Sequence, residues 1–137
     1  MSHHEDSAGG LMTTEMITLQ DCTVGEAIDQ IKAKEEIAET IYSLYIVDEA
    51  KHLKGSVHFR TLLVEPPDRK IVDVMNDRPV AVHLNDSAKE VAFILEKYNL
   101  FAVPVVDENR VIEGIVTVDD ILTLAVEEAW GEKSGLM

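Results

Sequence analysis

The stretch VVDENRVIEGIVTVDD, residues 105–120, holds two apolar runs joined by a turn that opens on an aspartate. It ends on a threonine and two aspartates. A looser version, IVDEAKHLKGSVHFRT, occupies residues 46–61. In each, an aspartate (Asp48, Asp107) closes the first run, and a glycine (Gly55, Gly114) follows seven residues later. Val- and Ile-rich runs around a polar turn predict a hairpin. Thr117 then takes the N-cap position of a helix, with Asp120 three residues on, where hydroxyl and carboxylate can satisfy free backbone N–H groups. The same pair could instead hold a ligand, and local spacing does not separate the two readings.

Working outward, the repetition extends further. Thr23 and Ser87 are each followed three residues later by glutamate (Glu26, Glu90), the signature of a capping box. Apolar residues then recur at helical spacing: Val24, Ala27, Ile28 and Ile31 in the first copy, Ala88, Val91, Ala92 and Leu95 in the second. Short strands are expected ahead of each cap at 16–19 and 80–84. The hairpins are expected from 44–47 with 55–59 and from 102–106 with 112–116. A closing helix is expected from 118 to about 130, with Ile121, Leu122, Ala125 and Ala129 on one side. The fold class is therefore α/β (α+β): two tandem repeats, each strand–helix–strand–strand–helix. Neither has enough residues for a core of its own, so they are expected to pack face to face as a pseudo-two-fold pair.

The expected organisation is a leading segment or tag remnant at 1–10, a first repeat at 11–63, a linker at 64–73, a second repeat at 74–126 and an outgoing helix at 127–137. The linker contains VEPPDRK, whose tandem prolines cannot continue a helix. The first copy carries an insertion, KEEIAET, at 34–40.

Composition narrows the function. With 26 acidic and 12 basic residues the chain has a net charge of −14, which repels nucleic-acid phosphates and anionic membrane surfaces. It suits a metal ion, a cationic partner or a well-solvated surface. Cys22 is the single cysteine, which rules out a disulfide framework and a Cys-based zinc site and points to a reducing, cytoplasmic setting. No apolar run reaches the ~18–20 residues needed to span a bilayer, so no direct membrane insertion is expected. No signal peptide is visible. His3 and His4 read as a tag remnant, and His52, His58 and His83 lack ligand spacing. A phosphate-binding Gly-Lys-Ser/Thr loop and a nucleophile elbow are both absent, so no enzyme is expected.

The segments LFAVPVVDENRVIEGIVTVDDIL (100–122) and LYIVDEAKHLKGSVHFRTLL (44–63) resemble the CBS domain, which occurs as a tandem pair called a Bateman module. A narrower similarity, to MgtE-type magnesium transporters, is carried by EDSAGGLMTTE (5–15), AETIYSLYIVDE (38–49) and VTVDDILTLAVEEA (116–129). The resemblance implies a regulatory fragment on the cytoplasmic side of the cell membrane. It would lie between an acidic helical N-terminal domain and a transmembrane pore domain of the same protein, and would form a homodimer through the CBS pairs.

The resemblance also implies ligands. Mg²⁺ would be held by acidic residues facing other acidic surfaces; the matching positions are Asp107, Asp119, Glu127 and Glu128, with the Val116 carbonyl as a lesser candidate. Asn109 stands where a further acid would be expected. Hard divalent ions suit such oxygen donors. The alternative is an adenosine nucleotide, ATP or AMP, contacted by Thr117 and Asp120, with Arg60 offering a charge to phosphate. The first copy departs from that motif, with His58 and Thr61 at the matching positions. A third reading is a dimerisation scaffold without a ligand.

Overall fold

A computed structural model describes residues 6–34 and 43–136, with side chains through Glu128. Most of the insertion at 34–40, and the side chains of Ala129 and Trp130, lie outside the described residues. Two three-stranded sheets form the body, in the orders β1-β2-β3 and β4-β5-β6. The strands are β1 Ile17–Leu19, β2 Ser43–Val47, β3 Leu53–His58, β4 Val82–His83, β5 Ala102–Val106 and β6 Ile112–Thr117. The helices are α1 Ala8–Leu11, α2 Val24–Ala33, α3 Phe59–Val64, α4 Ile71–Val74, α5 Ala88–Lys97 and α6 Val118–Leu136. Each half is a parallel pair joined through a helix, followed by an antiparallel hairpin, as the two-fold sequence pattern predicts.

The apolar positions of the pattern fill the cores. Val24 and Ala27 from α2, and Val91 and Leu95 from α5, are buried against their own sheets. Both hairpins carry a register shift at the same place, between Ile46 and Val47 and between Val105 and Val106. The residues at the turns, Lys51 and Arg110, adopt positive φ (66° and 68°), so even the uncommon backbone conformation is duplicated. Sheet edges differ slightly from expectation. The first strand of the second half shrinks from 80–84 to two residues, and the third strand of the first half ends at His58, with Phe59 already helical.

Two short helices escape the sequence pattern, and they join the halves. α1 precedes the first repeat but packs on the second: Ala8 is fully buried in the core of β4-β5-β6. The Ala8 and Gly9 amides donate to the Asp86 and Leu84 carbonyls (2.8 Å each). α4 begins within the span read as the linker, ends one residue past it and packs on the first repeat. Ile71 is fully buried in that core, and its amide donates to the Cys22 carbonyl (2.8 Å). The chain then runs along the outer edge of the sheet it has reached. Thr13 pairs with Ile115 beside β6, and Asn76 with Ser56 beside β3. The hairpin tips meet each other, with Leu53 N–H donating to the Arg110 carbonyl (2.9 Å) and Ile112 N–H to the Lys51 carbonyl (3.0 Å).

The repeated glycines are explained by this crossing. A Cβ on Gly55 would collide with Met75 Sδ, and one on Gly114 would stand 2.7 Å from the Thr13 carbonyl oxygen and 3.0 Å from Met12 Sδ. Glycine is needed here for close approach of another backbone.

Burial separates two leucine-like positions sharply. Ile71→Ala should cost about 2–5 kcal/mol, whereas Leu63→Ala, at a residue 81% exposed, should stay within about 0.5 kcal/mol. Urea unfolding of the two variants checks this; equal costs would mean that α4 is not part of the first core.

Candidate functional site

Three groups of polar residues bear on function, and each can be built from its own backbone. The hairpin aspartates come first. Asp107 Oδ1 accepts from the amides of Asn109 (2.8 Å) and Val111 (2.9 Å), and Asp48 Oδ1 accepts from those of Ala50 and His52 (2.9 Å each). Each carboxylate thus closes a turn whose amides would otherwise be unpaired. The first copy adds side-chain partners: His52 Nδ1 lies 2.9 Å from Asp48 Oδ2, and Lys54 Nζ lies 3.8 Å away. The His52 amide, ahead of other contributions, holds the Asp48 carboxyl below the ordinary range. In the second copy Val111 and Glu113 stand where His52 and Lys54 stand in the first.

Second is the corner where β6 meets α6. Asp120 Oδ2 accepts from the Thr117 amide (3.3 Å) and from the Thr117 hydroxyl (2.9 Å), while the Asp120 amide donates to Thr117 Oγ1 (3.2 Å). This is a reciprocal cap, so the cap reading of the motif is realised. None of the three bonds uses Asp120 Oδ1. The Phe101 carbonyl accepts the Val118 amide (2.8 Å), which satisfies another donor of the first turn. In the first half the corresponding corner is built differently: His58 Nδ1 accepts the Arg60 amide (3.1 Å). Arg60 is exposed in the first turn of α3, and among the described residues no hydrogen bond or ion pair joins it to Thr117 or Asp120.

Third are the metal candidates. Asp119, Glu127 and Glu128 are exposed along α6, and among the described residues no ion pair neutralises them. With a rise of ~1.5 Å and a turn of ~100° per residue, Asp119 and Glu127 stand about 12 Å apart along the axis, and Glu128 turns to the opposite face from Asp119. Asp107 lies at the far end of β5 from α6, and Val116 is fully buried, paired with Val103 in the hairpin. Among the described residues no three His, Cys, Asp or Glu side chains are gathered to hold one ion. The described residues therefore do not by themselves enclose an ion with the nominated acids.

One feature was not marked by the sequence pattern. A cavity of about 560 Å³ opens at the carboxyl ends of β1 and β2, lined by Gln20, Asp21, Asp48, Glu49, His52 and Lys54 among others. None of the nominated residues lines it. Its walls come from the ends of β1 and β2, the hairpin turn and the start of β3, and the crossing adds Val72 of α4. Cys22, in an adjoining recess, has its thiol pushed up by burial and by Glu26 and Asp21, which disfavours the thiolate.

Two outcomes follow. Thr117→Ala should lower stability by about 1 kcal/mol in thermal or urea unfolding through loss of the α6 cap. Asp48, with its folded pKa depressed, contributes stability that is present above the carboxylate's unfolded pKa and is lost as pH falls through the folded one. Acid titrations should show a shallower loss of stability below about pH 4 for Asp48→Asn than for the parent chain; parallel curves would remove Asp48 from the acid response.

Comparison with known proteins agrees with this geometry. Residues 71–127 match the CBS domain family model. The magnesium transporter MgtE of Enterococcus faecalis (strain ATCC 700802 / V583) is 41% identical over 136 residues, 98% of this chain and 30% of that protein. The crystal structure of the soluble part of a magnesium transporter superposes with a TM-score of 0.88 at 39% identity, over 93% of this chain and 50% of the other. The cytosolic domain of the Mg²⁺ channel MgtE in complex with ATP gives 0.86 at 40% identity, over 89% and 50%. The chain thus spans under a third of the curated transporter and half of each solved chain. Both halves share the topology of the matched repeat, and the similarity runs through both, so the chain belongs to the CBS family as a tandem CBS pair of the MgtE magnesium-transporter type.

Proposed function

We propose that this CBS pair is the cytosolic Mg²⁺-sensing module of a magnesium transporter, in which Mg²⁺ bridges acidic surfaces and favours a compact state. The observation that carries this reading is the row of exposed, unneutralised carboxylates on α6 in a chain of net charge −14. Asp119 stands too far along the helix from Glu127 and Glu128 to share an ion with them, and each offers the one or two oxygens that a largely hydrated Mg²⁺ accepts. Their partners are then carboxylates of another surface: a second copy of the chain, the acidic N-terminal domain, or the pore domain of the full-length protein. Apposed acidic faces repel, and a divalent ion between them offsets that repulsion. The ion shifts the population because the compact form binds it more tightly. Asp107 and the Val116 carbonyl are the weaker members of the set. One is already engaged by its turn amides, and the other belongs to a buried residue. The module works without catalysis, on the cytoplasmic side of the membrane; no described helix is long and apolar enough to cross one.

A nucleotide reading is favoured by a separate observation. Asp120 caps α6 through Oδ2, so Oδ1 is the oxygen that could accept a ribose hydroxyl at the same corner. The similar cytosolic domain in complex with ATP supports placing an adenosine nucleotide there. Thr117 and Asp120 would serve one cleft, and Arg60 would supply charge from the other half. With His58 and Thr61 in place of the motif, the first half lacks the matching carboxylate.

Thermal melts of the chain in MgCl₂ against NaCl of equal ionic strength separate specific binding from screening. At one hundred times its dissociation constant Mg²⁺ adds roughly 2.7 kcal/mol, a rise of several degrees. Asp119→Asn with Glu127→Gln and Glu128→Gln should abolish that rise and leave the melt in NaCl no lower. A rise that survives the triple change would remove these acids from the site, and equal melts in both salts would overturn sensing by this chain. In the same assay with ATP, Asp120→Ala should weaken binding by about 1.5–3 kcal/mol, as a lost charged hydrogen bond does. ATP protection that Asp120→Ala leaves intact would refute the nucleotide assignment.

A further inference from the structure

The lead-in to the first repeat is held by the second, and the attachment ends next to the Thr117–Asp120 corner. Between Asp6 and Thr13 a series of backbone hydrogen bonds ties the chain to the second half. The Ala88 amide donates to the Asp6 carbonyl (2.9 Å), the Ala8 amide to the Asp86 carbonyl and the Gly9 amide to the Leu84 carbonyl (2.8 Å each). Ser7 bridges Ser87. The Thr13 amide donates to the Ile115 carbonyl (2.8 Å), and the Ile115 amide donates back (2.9 Å). Met12 covers Gly114, where there is no room for a further carbon. Ile115 is two residues from Thr117 on the same strand, and that strand is the edge of its sheet.

We propose that residues 6–14 form a strap that couples the chain's amino-terminal side to the far repeat, so that a displacement of the strap loosens β6 and the start of α6 while sparing the adjacent first repeat. The strap is a short segment at the surface of the second half, anchored by a fully buried alanine, by Leu11 and Met12 against the same core, and by short amide ladders. Such elements open locally at lower free energy than a core strand. When it lifts, β6 loses the pairing of its outer edge at Ile115, and the Asp86–Ser87 approach to α5 loses its partners. α4 is the symmetry-related strap, tied by Ile71, Met75 and Asn76 to β3 of the first repeat. It supplies the internal control, because the same chemical change made there should loosen the other half. The inference rests on packing alone and is independent of which ligand the pair binds.

Amide hydrogen exchange on the intact chain, read by peptide mass, tests it. Gly114→Ala, whose Cβ would press on the Thr13 carbonyl, should speed exchange in residues 8–13 and 112–121 by roughly tenfold or more while leaving 17–33 and 53–58 near parental rates. Gly55→Ala should do the reverse, loosening 53–62 and 71–76. Should Gly114→Ala fail to fold, Thr13→Pro removes one strap hydrogen bond without adding a carbon to β6, and the same pattern is expected from it. Faster exchange spread evenly over both halves would overturn the proposal, since the strap would then be part of one all-or-none unit. Faster exchange confined to 8–13, with 112–121 unchanged, would overturn it as well, because nothing would be transmitted.

Discussion

Burial of Ile71 in the first core and of Ala8 in the second is the constraint on which the rest of the structure depends. Each residue belongs by sequence to the lead-in of the opposite repeat, so neither core is complete without a segment from across the pair. A fully buried isoleucine contributes about 1.5–3 kcal/mol of transfer free energy, a large share of a typical domain's net stability. The crossing also explains features that otherwise look unrelated. Gly55 and Gly114 are small because a methionine passes over each. The outer edges of β3 and β6 are covered rather than left open to pair with other chains. The first turn of α2 has its Val24 and Gly25 amides taken by the Arg69 and Pro67 carbonyls (2.8 and 2.9 Å), so the proline-containing connection serves as a cap.

Much of this was legible in the sequence. The duplicated Asp-to-Gly spacing located both hairpins, and Thr23 with Glu26 forms the full capping box that its spacing predicts. Ser87 accepts the Glu90 amide in the same manner. α1 and α4 were not legible, for a physical reason. Four residues carry no helical period, AGGL has two poor helix formers, and α4 follows tandem prolines, so both helices exist through tertiary contact. The candidate site divides the same way. Thr117 and Asp120 were found because a cap is a local motif. The cavity beside Asp48 was invisible because its walls, from β1, the first hairpin and Val72 of α4, meet only in the folded sheet. The dispersal of Asp119, Glu127 and Asp107 reflects helix rise and hairpin length, which a list of acidic residues does not convey.

The two halves share a scaffold but not an electrostatic surface. In the first, the hairpin carboxylate of Asp48 is answered by His52 and Lys54. In the second, the matching positions hold Val111 and Glu113, and the following helix opens with Asp119 and Asp120. Arg60 occupies in α3 the place that Asp119 occupies in α6. The backbone is duplicated while the charge diverges, because the geometry of the hairpins is set by backbone amides that both copies retain.

The pairing of Thr13 with Ile115 has a consequence for how the chain reaches its native state. These residues are roughly a hundred positions apart in sequence, so the closure entropy of a long loop must be met before either gains its partner. During synthesis β3 can gain its Asn76 partner early, whereas α1 stays without its core until β6 has been made. The second repeat thus completes only by recapturing a segment that precedes the first in the chain.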